Sequence, residues 1–148
     1  MKLNNDGYRL ITKFEGFSSK PYLCPAKIPT IGYGSTYYSD NKRVTMLDKE
    51  ITEQEGFNLF KTIADKFAKA VSNVITQPLN QNQFNACVSL CYNIGVANLM
   101  NSTLLKVLNK DCNNKDIALE FKKWNKVNKK EVKGLTKRRE YEAVIYFS

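Results

Sequence analysis

Lys13-Phe14-Glu15-Gly16-Phe17-Ser18-Ser19-Lys20-Pro21-Tyr22-Leu23-Cys24-Pro25-Ala26-Lys27-Ile28-Pro29-Thr30-Ile31-Gly32-Tyr33-Gly34-Ser35-Thr36 is the stretch that decides the fold. A helical pattern ends inside it. Tyr8, Ile11 and Phe14 fall on one stripe, which predicts a short helix over 4–14, started by Asn or Asp and ended at Glu15. From 18 to 46, Pro21, Pro25, Pro29, Gly32 and Gly34 break that period, with Tyr, Ile, Val and Thr between them. This predicts a small twisted hairpin or three-stranded sheet, with turn glycines of positive φ at Gly32 and Gly34.

Beyond the sheet the pattern is helical. Thr52 and Glu55 have capping-box spacing and open a long helix to about Asn73, with Phe57, Phe60, Ile63, Phe67, Val71 and Val74 as its apolar stripe. Asn80 and Gln83 start another through Ile94, closed by Gly95. Ser102 opens a helix over Leu104 to Leu108, and Asn114 opens one carrying Ile117, Phe121 and Trp124. Gly134 precedes the last helix, through Phe147, with Leu135, Tyr141, Val144 and Ile145 expected inward. The expected class is α+β, mostly helical, with 1–148 as a single domain.

Glu15 is the one acidic residue between Asp6 and Asp40. It stands between Phe14 and Phe17, and an apolar setting lets a carboxylic acid keep its proton for a leaving oxygen. The plainer alternative is a helix-terminal Glu in an ion pair. Cys24 and Thr30 are the polar groups nearby in sequence for a second role: a thiolate or water-holding thiol, and a hydroxyl that holds water. An acid and a second group on opposite faces of a sugar are what glycoside hydrolysis needs. The three are expected to face one another across a cleft between sheet and helical lobe, where an extended polymer would lie.

The chain has no histidine, which excludes a Ser-His-Asp triad, a Cys-His dyad and any His-ligated metal. Its four cysteines, Cys24, Cys87, Cys91 and Cys112, contain no Cys-x-x-Cys pair, so neither a structural zinc nor another cofactor is expected. Cys87 and Cys91 read as buried reduced thiols. The net charge of +9 favours a polyanionic partner, and its basic residues cluster late, from Lys122 to Arg139. No signal peptide or membrane-spanning stretch is read, so cytoplasmic synthesis is expected, without membrane insertion.

The spacing Glu15, Cys24, Thr30, followed by Ile31-Gly32-Tyr33-Gly34, resembles the catalytic signature of the phage-type lysozymes, the endolysins of the muramidase class. Asn80 to Ala86 with Ser89 and Tyr92-Asn93-Ile94-Gly95 is similar to that family's central helix. Ser102 to Leu105 with Leu108-Asn109, and Gly134-Leu135-Thr136-Lys137-Arg138-Arg139-Glu140, resemble its later motifs. Together these run through almost the whole chain in order. The resemblance implies a lysozyme-like fold and bacterial peptidoglycan as substrate. The bond cut would be the β-1,4 link between N-acetylmuramic acid and N-acetylglucosamine, with inversion. It makes Glu15 the general acid, puts Cys24 where many members carry Asp, and gives Thr30 the attacking water. Tyr22 would line the cleft, or be a core aromatic. Asn93 would hydrogen-bond an acetamido group, or cap its helix. Arg138 or Arg139 would approach Glu15, or both would be surface charges. Ser35 stands where many relatives have a His that supports structure. Lys20 and Lys27 are the expected aids to ionising Cys24. A monomer is expected, released to the wall by a separate holin.

Two other readings compete. A lytic transglycosylase needs one acid and lets the muramic 6-hydroxyl attack, although Thr30 in place argues for held water. A non-enzymatic basic domain on nucleic acid or wall polymer is the other class; no zinc finger, RNP motif or phosphate loop supports nucleic acid, and none is expected as partner. A degenerate lysozyme that binds without cutting is opposed by intact Glu15 and Thr30.

Overall fold

The computed structural model describes residues 1–148. Seven helices and four short strands follow one another. They are α1 (Asn5–Glu15), β1 (Ser18–Leu23), β2 (Pro29–Gly32), α2 (Glu53–Val74), α3 (Gln81–Ile94), α4 (Val96–Met100), α5 (Thr103–Lys110), α6 (Asp116–Lys122), β3 (Lys126–Val127), β4 (Lys130–Glu131) and α7 (Lys133–Tyr146). The class is α+β. No helix is long and apolar enough to cross a membrane. The chain divides into two compact units: Ile11–Lys66, and Met1–Leu10 with Phe67–Ser148.

In the first unit, β1 and β2 pair antiparallel, Tyr22 opposite Thr30 and Leu23 opposite Pro29. The register slips between Ser18 and Tyr22. Pro21 lies in that slip, where a residue without an N–H is tolerated. No third full strand forms. Instead single bridges join Ile31 to Ser35 and Tyr37 to Arg43. The Ile31–Ser35 bridge closes a tight reversal through Gly32 (φ 66) and Gly34 (φ 86), a backbone region that side chains disfavour. Ile31, Val44 and Leu59 form a core cluster, flanked by Tyr38, Ile51 and Ile63.

The start of α2 carries the expected capping box. Glu55 N–H donates to Thr52 Oγ1, and Thr52 N–H to Glu55 Oε1, both at 3.1 Å. Its deepest residues are Phe60, Ala64, Ala68 and Val71, with Phe57, Ile63, Phe67 and Val74 half-buried beside them.

The second unit is built on α3, whose residues Gln83 to Cys91 are all buried. Its N-terminus is the second capping box, Gln83 N–H to Asn80 Oδ1 at 2.8 Å and Asn80 N–H to Gln83 Oε1 at 2.9 Å. The buried polar side chains of α3, Gln83, Asn85 and Ser89, are paired. Asn85, for example, donates to Asn4 Oδ1 at 2.8 Å and accepts from Gln81 at 2.9 Å. Ser102 caps α5 through Leu105 N–H at 3.0 Å. Cys87, Cys91 and Cys112 are buried free thiols.

Two features were not expected, and one expectation is corrected. Gly95 does end α3, its N–H reaching Cys91 O at 2.8 Å, but another helix, α4, follows at once. Residues 126–131 form a hairpin whose Asn128 and Lys129 both have positive φ, as the mirror-image turns of tight hairpins require. Helix α7 starts at Lys133 and turns a different face inward. It buries Arg138, Arg139, Glu142, Ala143 and Tyr146, while Tyr141 and Val144 are exposed. The charged residues go inside because they pair with one another.

Candidate active site

Glu15 is the last residue of α1, and Gly16 N–H closes the helix on Thr12 O at 3.1 Å. The half-buried carboxylate borders an open pocket of about 290 Å³ lined by Glu15, Gly16, Phe17, Ser18 and Tyr22. The Phe17 ring packs 5.2 Å from Tyr33 and lies over Gly56, where a Cβ would come within 2.6 Å of the ring. Gly56 therefore leaves room for the apolar wall beside Glu15. Tyr33 is anchored in turn by its hydroxyl, which donates to Glu53 at 2.9 Å.

Cys24 opens the five-residue loop between β1 and β2. Its N–H donates to Ile28 O at 3.1 Å, and Lys27 N–H donates back to Cys24 O at 2.7 Å, with Lys27 at φ 61. The thiol's pKa is lowered, first by the Ile28 backbone N–H, then by Ala26 N–H, the Thr30 hydroxyl and its own N–H, against a smaller rise from desolvation. Backbone amides, rather than the charges of Lys20 and Lys27, favour the thiolate. A loop that turns several N–H groups toward one point is an anion nest.

Thr30 sits on β2, 3% exposed, and donates to Ile28 O at 2.9 Å. Its single hydroxyl proton has two acceptors in reach, that carbonyl and the Cys24 sulfur. Tyr22, opposite Thr30 on β1, is 37% exposed, so it is not a core aromatic. Its phenol pKa is raised by desolvation, then by the charges of Glu15 and Cys24. Glu15, Tyr22, Cys24 and Thr30 thus form one electrostatically connected group on the Ile11–Lys66 unit.

Asn93 belongs to the other unit. It lies in the last turn of α3, exposed, with Oδ1 accepting from Arg139 Nη2 at 2.8 Å. Arg138 and Arg139 are buried and not surface charges. Arg138 Nε is 3.3 Å from one Glu142 oxygen and Arg139 Nε is 3.0 Å from the other. The Ser89 hydroxyl donates to Glu142, and Arg138 Nη2 donates to Ser89 O at 3.2 Å. Burial pushes the Glu142 carboxyl up, while Arg139 and Arg138 pull it down. This network escaped the sequence reading. The available signal was Arg138 and Arg139 at four and three residues before Glu142, the spacing of helical ion pairs.

Glu15 at a helix end beside a pocket, next to a hairpin whose amides lower the Cys24 pKa, thus sits on a lysozyme-like fold. The comparisons agree. The phage lysozyme family matches residues 12–142, so the chain belongs to that family. It is 37% identical over 150 residues to the endolysin of Bacillus phage B103, covering all of this chain but 55% of that protein, about half its length. The endolysin of Escherichia coli O157:H7 phage FAHEc1 superposes with a TM-score of 0.90 at 38% identity, over 100% of this chain and 94% of that one. The muramidase domain of SpmX from Asticaccaulis excentricus gives 0.85 at 26% identity, over 99% and 98%.

Proposed function

We propose that the chain is a peptidoglycan hydrolase of the muramidase type, cutting the β-1,4 bond between N-acetylmuramic acid and N-acetylglucosamine. The observation that carries this is the grouping of Glu15, Tyr22, Cys24 and Thr30 around the hairpin and its pocket. Family membership and similarity to an endolysin and to a muramidase domain support the same reading.

Glu15, as general acid, gives a proton to the glycosidic oxygen as the bond to the anomeric carbon breaks. Water attacks that carbon from the opposite face, inverting it. Thr30 positions the water, and Cys24 as thiolate takes its proton and stabilises the positive charge on the sugar. The amides that lower the Cys24 pKa favour the negative charge that a carboxylate would bring without assistance. Tyr22 lines the sugar site as a neutral phenol. Residues 1–148 act as one phage-type lysozyme domain, a monomer, reaching the wall through a separate holin.

The test is release of reducing ends from purified peptidoglycan. Wild type should release them, and Glu15→Gln should lose at least a hundredfold in rate, the usual size of a general-acid contribution. Wall binding without release by wild type would instead indicate a protein that binds and does not cut.

A further inference from the structure

A second pocket, of about 370 Å³, lies on the Ile11–Lys66 unit and shares no residue with the pocket at Glu15. Tyr38, Ile51 and Leu59 give it apolar walls, and Glu55, Asn58 and Thr62 of α2 line it as well. Those three are spaced by three and four residues, so they stand in a row on one helix face. Each is held by a second partner. Glu55 Oε1 accepts from Thr52 N–H at 3.1 Å, Asn58 Oδ1 accepts from Gln54 Nε2 at 3.0 Å, and the Thr62 hydroxyl donates to Asn58 O at 3.2 Å. The Tyr38 hydroxyl donates to Asp48 at 2.7 Å, and Thr45 fixes Asp48 in turn. Polar groups locked in this way are preorganised. They leave open one carboxylate oxygen of Glu55, the NH₂ group of Asn58 and the lone pairs of the Thr62 hydroxyl, so acceptors and a donor stand in one row.

The chain carries a net charge of +9, yet no side chain lining this pocket is basic. Desolvation, then the Asp48 hydrogen bond and the charges of Asp48 and Asp40, push the Tyr38 phenol up to about 12. An anion would meet the same negative charges. A simple cation would leave the Asn58 donor unmatched. A neutral sugar suits both parts of the pocket, with C–H faces for its apolar walls and hydroxyls that donate and accept for its polar row.

We infer that this pocket is a second saccharide site, apart from the pocket at Glu15, that takes one neutral sugar unit. That the sugar belongs to a peptidoglycan strand rests on the muramidase reading; the site itself does not.

The experiment is an amide-resolved NMR titration of the full chain with N-acetylglucosamine and with its β-1,4-linked trimer. The Asn58, Leu59 and Thr62 signals should shift saturably, with a Kd of roughly 1 mM, ordinary for a ligand of this size. Asn58→Leu should weaken that binding about tenfold, the loss of roughly one good hydrogen bond. Glu55→Gln keeps the capping box, which accepts either residue, but replaces the open carboxylate oxygen with an NH₂ group, and should weaken binding by a similar factor. Both substitutions change exposed side chains, and thermal midpoints near that of wild type should show that the fold is kept. Shifts confined to Gly16, Phe17 and Tyr22 would put the sugar at the Glu15 pocket alone and overturn the inference. So would equal shifts with glycerol, equal or larger shifts with n-butylammonium, or wild-type affinity in Asn58→Leu. Saccharide binding at Asn58 by a chain that releases no reducing ends from peptidoglycan would keep the second site and strike at the muramidase reading instead.

Discussion

The Thr30 hydroxyl, which donates to Ile28 O at 2.9 Å, stands beside Cys24, and together with the Ile28 and Ala26 amides it lowers the thiol's pKa. The two polar residues expected to position or activate water are thus electrostatically coupled.

Thr30→Val removes the hydroxyl and one cause of the lowering. The pH midpoint of Cys24 alkylation should move up. Cys87, Cys91 and Cys112 are buried and should not react in the folded protein. The sign follows from linkage: a group with a depressed folded pKa adds stability that is complete above the unfolded thiol's pKa, about 8.5, and lost as pH falls through the folded value. An alkylation profile identical to wild type would show that Thr30 does not touch the thiol.

Removing Glu142 leaves two buried guanidiniums without their shared carboxylate. Glu142→Gln should cost about 3–5 kcal/mol in denaturant unfolding, the range for breaking a buried ion pair. A loss below about 1 kcal/mol, the value of an exposed pair, would mean the network contributes little to folding.

Much of the scaffold was legible because its signals are local. Both capping boxes, Thr52 with Glu55 and Asn80 with Gln83, form as their spacing predicts, and Glu15 ends α1 beside Gly16. The misses share a physical cause. In α7 the apolar period favoured Tyr141 and Val144, but mutual ion pairing let Arg138, Arg139 and Glu142 take the buried face. The Lys126–Glu131 hairpin has two-residue strands of polar sequence and a turn of Asn128 and Lys129 without glycine. No apolar alternation announces it. At the candidate site, sequence offered Glu15, Cys24 and Thr30 but credited lysine charges with ionising Cys24. Backbone N–H groups carry no sequence signature, so the nest became visible only in the folded loop.

Ser35 is 1% exposed and its hydroxyl has no hydrogen-bond partner, although its backbone N–H and C=O pair with Ile31. Ser35 is therefore held through its main chain. Ser35→Ala removes a buried unsatisfied group and should stabilise by about 1 kcal/mol. A destabilised Ser35→Ala in thermal unfolding would mean the hydroxyl has a role in the fold.

Lys126, Lys129 and Lys130 crowd the exposed β3–β4 hairpin. If a basic surface concentrates the enzyme on an anionic wall, lysis of whole walls should slow as salt rises and surface charges are screened. The triple Lys→Gln variant should show a flatter salt dependence and unchanged turnover of short soluble glycans. A rate on walls that holds constant up to about 0.5 M salt would remove electrostatic attraction from the picture.

The most direct measurement is mass spectrometry of peptidoglycan digested in heavy-oxygen water by wild type and by Glu15→Gln. Disaccharide-peptides whose reducing muramic acid carries the label, present with wild type and absent with Glu15→Gln, are the predicted result. Unlabelled 1,6-anhydro ends would contradict water as the nucleophile and make the protein a lytic transglycosylase. Label appearing equally with Glu15→Gln would remove Glu15 as the acid.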